Sequence, residues 1–181
     1  MEKHEWFPMR VTYSREMKMK ECLDRLQVEN FIPMHYEIVE NGEQRQMKRV
    51  PAIHNLIFIH TTQEALTLMK TTVEELLPLR YMMRPCSDGS GKQEIIRVLD
   101  KQMDDFMRVA SAEDDRVMFL NYGSYLAKAG QRVKVTAGHF AGVEGVIKRI
   151  KNNRRVVVQI DGVAAVAITH VPAEQLMVIN E

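Results

Sequence analysis

The stretch AGQRVKVTAGHFAGVEGVIKRI, residues 129–150, decides how the second half of this chain is read. It holds two short β runs, RVKVTA at 132–137, whose valines alternate, and EGVIKRI at 144–150, with Gly138, Gly142 and Gly145 between and within them. That alternation has the two-residue period of a strand with one buried face. A dinucleotide fingerprint needs G-x-G-x-x-G opening a helix after a strand. Here the spacing is G-x-x-x-G-x-x-G, with a strand pattern on both sides and no lysine followed by serine or threonine to close a phosphate loop. The stretch predicts two strands joined by a glycine turn.

Downstream, RRVVVQI (154–160), AAVAITHV (164–171) and QLMVI (175–179) are further short β runs. Five short strands with small turns predict a small all-β barrel over 129–181. Upstream, residues 111–128 lose all periodicity and predict a linker, with one short ordered piece around 118–120.

The first 110 residues carry a different pattern. WFPMRVTY (6–13) reads as a strand with Pro8 near its start. Ser14 stands where a helix cap belongs, and Met19, Cys22, Leu23 and Leu26 form an apolar helical stripe after it. Asn41-Gly42 predicts the turn of a hairpin, whose charged arms are too polar to bury both faces and should project into solvent. NLIFIHTT (55–62) reads as a central strand, and Thr61 with Glu64 as a capping box for a helix carrying Leu66, Met69, Val73, Leu76 and Leu77. LRYMMR (79–84) is a further strand, and 94–110 a third helix with Ile95, Leu99, Met103, Phe106 and Met107 on one side. The order β-α-β-β-α-β plus a helix predicts an α+β plait, an antiparallel sheet covered by helices. The expected domains are 1–110, a linker over 111–128, and 129–181.

Little in the chain supports catalysis. Gly91-Lys92 is followed by Gln93, where a phosphate loop needs a magnesium-binding hydroxyl. The six histidines are scattered, none at a metal-ligand spacing from cysteine or another histidine. Cys22 lies on a predicted core stripe, where a thiol is inert, and two distant cysteines suit a reducing compartment. We therefore expect no enzyme activity, no metal, no cofactor and no catalytic residue. The N-terminus lacks a signal peptide's apolar core and no apolar run approaches a bilayer span, so the expected location is cytoplasmic, with no membrane partner.

What remains is binding. Residues 129–181 carry seven Lys+Arg against four Asp+Glu, and KRIKNNRR (148–155) concentrates Lys148, Arg149, Lys151, Arg154 and Arg155 around a predicted Asn152-Asn153 turn. Such a cluster either contacts nucleic-acid phosphates or is only a solvated hairpin tip. Both readings stay open.

Taken together, residues 129–150 resemble the KOW motif, and WFPMRVTYSREMKMKECLDRL with FIPMHYE resembles the opening of the NusG N-terminal domain. The resemblance runs over nearly the whole chain, in the order plait, linker and SH3-like KOW barrel. NusG proteins usually show Phe-Pro-Gly-Tyr before the central strand, whereas this chain has Ile53-His54-Asn55-Leu56. The asparagine, the WFPMRVTYSR start and the C-terminal sequence are similar to the UpxY group, antiterminators of polysaccharide operons.

The resemblance implies a transcription elongation and antitermination factor that acts by binding. Its plait would dock on the clamp region of RNA polymerase through Tyr13, Ile53, Leu56, Phe58 and Tyr81, bridge the cleft and favour the processive state. For Leu56 and Phe58 ordinary sheet core is the competing reading. The 37–50 hairpin would make a second contact across the cleft or to nucleic acid of the elongation complex. In the barrel, Gly138, Gly142 and Gly145 would permit a tight turn and close packing of the first two strands, and Phe140 would meet a further protein partner. The alternative function is a KOW-type RNA-binding protein of the translation apparatus, working through the basic hairpin.

Overall fold

A computed structural model of the chain describes residues 3–41, 44–120, 130–150 and 152–179. Two compact units divide between Leu99 and Asp100.

The first unit is built on the apolar run of the central strand. Strands β1 (Glu5–Val11), β2 (Glu29–Phe31), β5 (Leu56–Thr61) and β6 (Leu79–Tyr81) form a sheet in the order β2-β5-β1-β6. Each neighbouring pair is antiparallel, with Phe7 opposite Ile59 and Met9 opposite Ile57. Helix α1 (Glu16–Arg25) follows β1 and α2 (Gln63–Thr72) follows β5. Phe7, Met9, Val11, Ile57 and Ile59 pack with Met19, Cys22 and Leu23 of α1 and Leu66 of α2. Full burial of each such side chain stabilises by roughly 1.5–3 kcal/mol. The other sheet face is apolar and buried too, through Trp6, Leu56 and Phe58.

Strands β3 (Met34–Asn41) and β4 (Gln44–Pro51) form a separate two-stranded hairpin, registered from Met34 opposite Pro51 to Asn41 opposite Gln44. Of its assigned turn, Gly42 lies outside the described residues. The consecutive residues Tyr36, Glu37 and Ile38 are all exposed, so both hairpin faces meet solvent, as the charge pattern predicts. A second small hairpin pairs β7 (Met83–Pro85) with β8 (Gln93–Ile95).

In the second unit, α3 (Asp100–Ala110) packs on strands of a six-stranded antiparallel sheet. The strands are β9 (Val117–Phe119), β10 (Arg132–Val135), β11 (Glu144–Ile150), β12 (Asn153–Ile160), β13 (Ala164–Thr169) and β14 (Leu176–Val178), in the order β14-β10-β11-β12-β13-β9. All five predicted barrel strands are present within a residue or two of their expected bounds. The short piece expected around 118–120 is β9, which extends the barrel sheet by pairing with β13.

Three local expectations change. The third helix starts at Asp100, not 94, because residues 93–95 pair with β7 and Val98 bridges to Trp6. That helix then packs on the barrel strands of the second unit. Ser14 caps nothing: it lies at φ 49, and the N-cap position is Arg15 without a side-chain bond. The cap of α2 is Thr62, one residue after the expected Thr61, accepting the Ala65 N–H at 3.2 Å.

Candidate functional site

Three surfaces bear on function, each described within its own unit. The first is an edge where the β1–α1 turn meets the loop before β5. Tyr13, Ser14 and Asn55 all adopt left-handed backbone, at φ 64, 49 and 61. This costs of order 1–2 kcal/mol for an ordinary residue, less for asparagine, and surrounding bonds must hold it. Asn55 supplies them: its side-chain oxygen accepts the Ser14 N–H at 2.9 Å and its carbonyl accepts the Val11 N–H at 2.9 Å. In turn the Asn55 N–H donates to the buried Glu16 carboxylate at 2.6 Å. The lock displays Tyr13, which is 84% exposed, with the Arg15 guanidinium 5.6 Å above its ring. Half-buried Ile53 and exposed His54 lie on the partnering loop.

Of the five residues expected on one docking patch, Tyr13 and Ile53 are brought to this edge. Leu56 and Phe58 are not exposed: they are 4% and 0% accessible. Strand β5 is apolar on both faces and both faces are covered, so alternation leaves it no outward apolar side. Tyr81 belongs to the packing of α2. Its hydroxyl shares a 2.9 Å hydrogen bond with Thr67, its ring meets Phe7 edge-on, and burial pushes its phenol above the ordinary value.

The second surface is the glycine turn between β10 and β11. Gly138 and Gly142 lie at φ 80 and 93, as the turn requires. Gly145 is needed for a different reason and against a different strand than expected. A Cβ there would come within 2.8 Å of the Val157 carbonyl oxygen, so it allows close approach of the second and third barrel strands. Phe140 is not presented at the loop: it is 3% exposed, edge-on to His139, with the Arg116 guanidinium 5.5 Å from its ring. Helix α3 holds this loop down. Arg108 donates to the carbonyls of Ala141 and His139 at 2.7 and 2.9 Å, and Lys101 to that of Gly142 at 3.3 Å. Asp105, 7% exposed, accepts the Glu144 N–H at 3.2 Å and the Lys101 ammonium at 2.5 Å. No pattern of residues signals these contacts, because the charged side of an amphipathic helix reads as a solvated face.

The third surface is the basic hairpin, which the register splits in two. Lys148 stands opposite Arg155 and Arg149 opposite Arg154. Successive strand residues point to opposite faces, so the pairs lie on different sides of the sheet. Half-buried Lys148 donates to Gln159 Oε1 at 2.8 Å, and Arg155 to Met118 Sδ at 3.4 Å. Arg149 and Arg154 are exposed. Lys151 lies outside the described residues. The register thus divides the described cations between two faces, although Arg154 and Arg155 both line one cavity.

Among the described residues no three His, Cys, Asp or Glu side chains converge to hold a metal, and no helix is long and apolar enough to cross a membrane.

Comparison with known proteins adds the following. A family model described as transcription termination factor nusG matches residues 4–107, and one described as KOW motif matches residues 129–161. No curated protein matches the chain. Among solved structures, one described as domain interaction in Thermotoga maritima NusG is 19% identical, covers 98% of each chain and has a TM-score of 0.44. The MjSpt4:Spt5 complex in conformation B is 11% identical, covers 97% of each chain and has a TM-score of 0.25.

Proposed function

The chain belongs to the NusG family, and from that premise we propose that it binds RNA polymerase at the clamp region and promotes processive elongation. Its general role is in transcription elongation and antitermination, and the family's members are non-enzymatic regulators. In this reading the Tyr13–Ile53 edge of the first unit is the polymerase contact, acting in the cytoplasm. The β3–β4 hairpin makes the second contact, to the far side of the cleft or to nucleic acid, and the KOW domain meets a further protein partner. The chain is a specialised UpxY-like paralogue serving a polysaccharide operon, a reading supported by Asn55 in place of the usual glycine and by its left-handed backbone.

One observation carries the polymerase contact: a tyrosine held almost fully exposed in a strained turn by a buried carboxylate. Exposure of a large aromatic at a cost in backbone strain is expected of a contact residue and not of a core one. The test is capture of polymerase from the protein's own cell lysate by the wild type and by Tyr13→Ala and Ile53→Asp, with circular dichroism as the folding control. The wild type should recover polymerase and the folded variants should lose most of it. Equal recovery by all three would remove the edge from the reading. No recovery by the wild type would remove the polymerase contact itself.

A further inference from the structure

On the face of the barrel sheet that bears Arg149 and Arg154, a cavity of about 230 Å³ opens beside the hairpin. Its walls are mostly aliphatic, through Val133, Ile147, Val156, Leu176 and Val178, and Gln131, Arg154 and Arg155 complete them. The registers put these residues on one face. Val133 stands opposite Gly145 and Val178, Ile147 opposite Val156, and Arg149 opposite Arg154. Arg154 lines the cavity itself, and Arg149 stands two residues from the lining residue Ile147 on its own strand, so the guanidinium pair borders the cavity.

Two like charges directly opposite each other on neighbouring strands destabilise a sheet. Nothing among the described residues relieves this pair: neither arginine has a carboxylate partner, and the cavity lining contains no Asp or Glu. The cavity is below the size of ordinary small-molecule pockets and suits a single side chain. Its walls contain no aromatic on which a base could stack, so a nucleotide would satisfy the arginines and leave the aliphatic walls empty.

We propose that this face takes an extended protein segment that inserts an aliphatic side chain into the cavity and sets a carboxylate, two residues along, between Arg149 and Arg154. An extended segment repeats its side-chain direction every two residues, and that repeat matches the spacing of cavity and cation pair. The proposal rests on the reading that the KOW domain meets a protein partner, and it supplies that partner's chemistry: an acidic and an aliphatic residue at positions i and i+2.

The test titrates the full-length protein with a capped peptide of sequence Ser-Glu-Thr-Leu-Ser, and with its Gln-for-Glu counterpart, following backbone amide shifts by NMR. The Glu peptide should perturb the amides of Ile147, Arg149, Arg154, Val156 and Val178, and bind about threefold more tightly than the Gln peptide, as befits exposed ion pairs. Arg154→Gln should abolish that difference while keeping or raising the melting temperature, because it relieves the like-charge pair. Lys148→Gln, on the other face, should leave the difference intact. Absence of binding, equal binding of both peptides, or equal effects of the two substitutions would each overturn the proposal while leaving a protein partner elsewhere on the domain. A single-stranded oligonucleotide that displaces the peptide from these amides, with steep salt dependence, would overturn the protein-partner reading too.

Discussion

Glu16, 2% exposed in the first turn of α1, accepts the backbone N–H of Asn55 at 2.6 Å across 39 residues of sequence. That bond ties the start of a helix to the loop before the central strand, and through Asn55 it reaches the Ser14 and Val11 amides. Removing the carboxylate leaves a part-buried N–H without an acceptor, at a cost of about 1–3 kcal/mol. Glu16→Ala should lower the urea midpoint accordingly and speed hydrogen exchange at Asn55 and Ser14. Glu16→Gln keeps an acceptor and should lose less. A wild-type midpoint for Glu16→Ala would show that the lock does not hold the turn.

The strands of the barrel were legible because each is a short valine-, isoleucine- or alanine-rich run set off by turn residues. The central strand and the apolar positions Met19, Cys22, Leu23, Leu66, Met103 and Phe106 were legible for the same kind of reason. The site was less so. An all-apolar run such as 56–59 does not say which face is covered, so patch and sheet core both stayed open for Leu56 and Phe58, and the structure buries both. Phe140 passed as exposed because the polar contacts of Arg108, Lys101 and Asp105 with its loop join residues far apart in sequence. The splitting of the basic cluster follows from strand alternation, and the register of the hairpin sets which cations stand opposite each other.

Asp114 offers a test by pH. Its carboxyl is held down to about 2, chiefly by hydrogen bonds from the Arg116 side chain, then by the Arg116 backbone N–H. A group whose folded value lies below its unfolded value stabilises above the unfolded value and loses that contribution as pH falls toward the folded one. The contribution is therefore present above about pH 4 and fades between about pH 4 and pH 2. In the Asp114→Asn variant the decline of stability across this window should be shallower than in the wild type. A carboxyl NMR titration should place the midpoint near 2 in the wild type and move it upward in Arg116→Gln. An unchanged midpoint in that variant would mean that the ion pair does not form in solution.

Arg108 closes the loop over Phe140 through two backbone carbonyls. The carbonyls are exposed enough for water to replace the guanidinium, so Arg108→Ala should cost only about 1 kcal/mol of stability. Its larger effect should be local. Freed from α3, the loop opens more often, and chymotrypsin should cut after Phe140 several times faster than in the wild type, since cleavage follows the population of the opened state. If cleavage after Phe140 stays at the wild-type rate, the loop is held by its own turn and not by the helix.

Gly138 and Gly145 should respond to substitution in different ways. At Gly138 a Cβ would meet only Gln175 Oε1 at 3.7 Å, so the obstacle is the left-handed backbone at φ 80. Asparagine tolerates that region better than alanine, and Gly138→Asn should therefore be the milder change, with Gly138→Ala costing about 1–2 kcal/mol. Gly145 has no positive φ, and its Cβ would lie 2.8 Å from the Val157 carbonyl oxygen and 2.9 Å from Val156 Cγ1. One of those contacts is backbone in a paired strand and cannot rotate away. Gly145→Ala should thus push β11 from β12 and cost about 1–3 kcal/mol, as overpacking does. Asparagine at this position should be worse than alanine, the reverse of the order at Gly138. Thermal unfolding of the four variants gives both orders in one experiment. The same order at both sites would mean that backbone conformation, and not strand approach, governs Gly145.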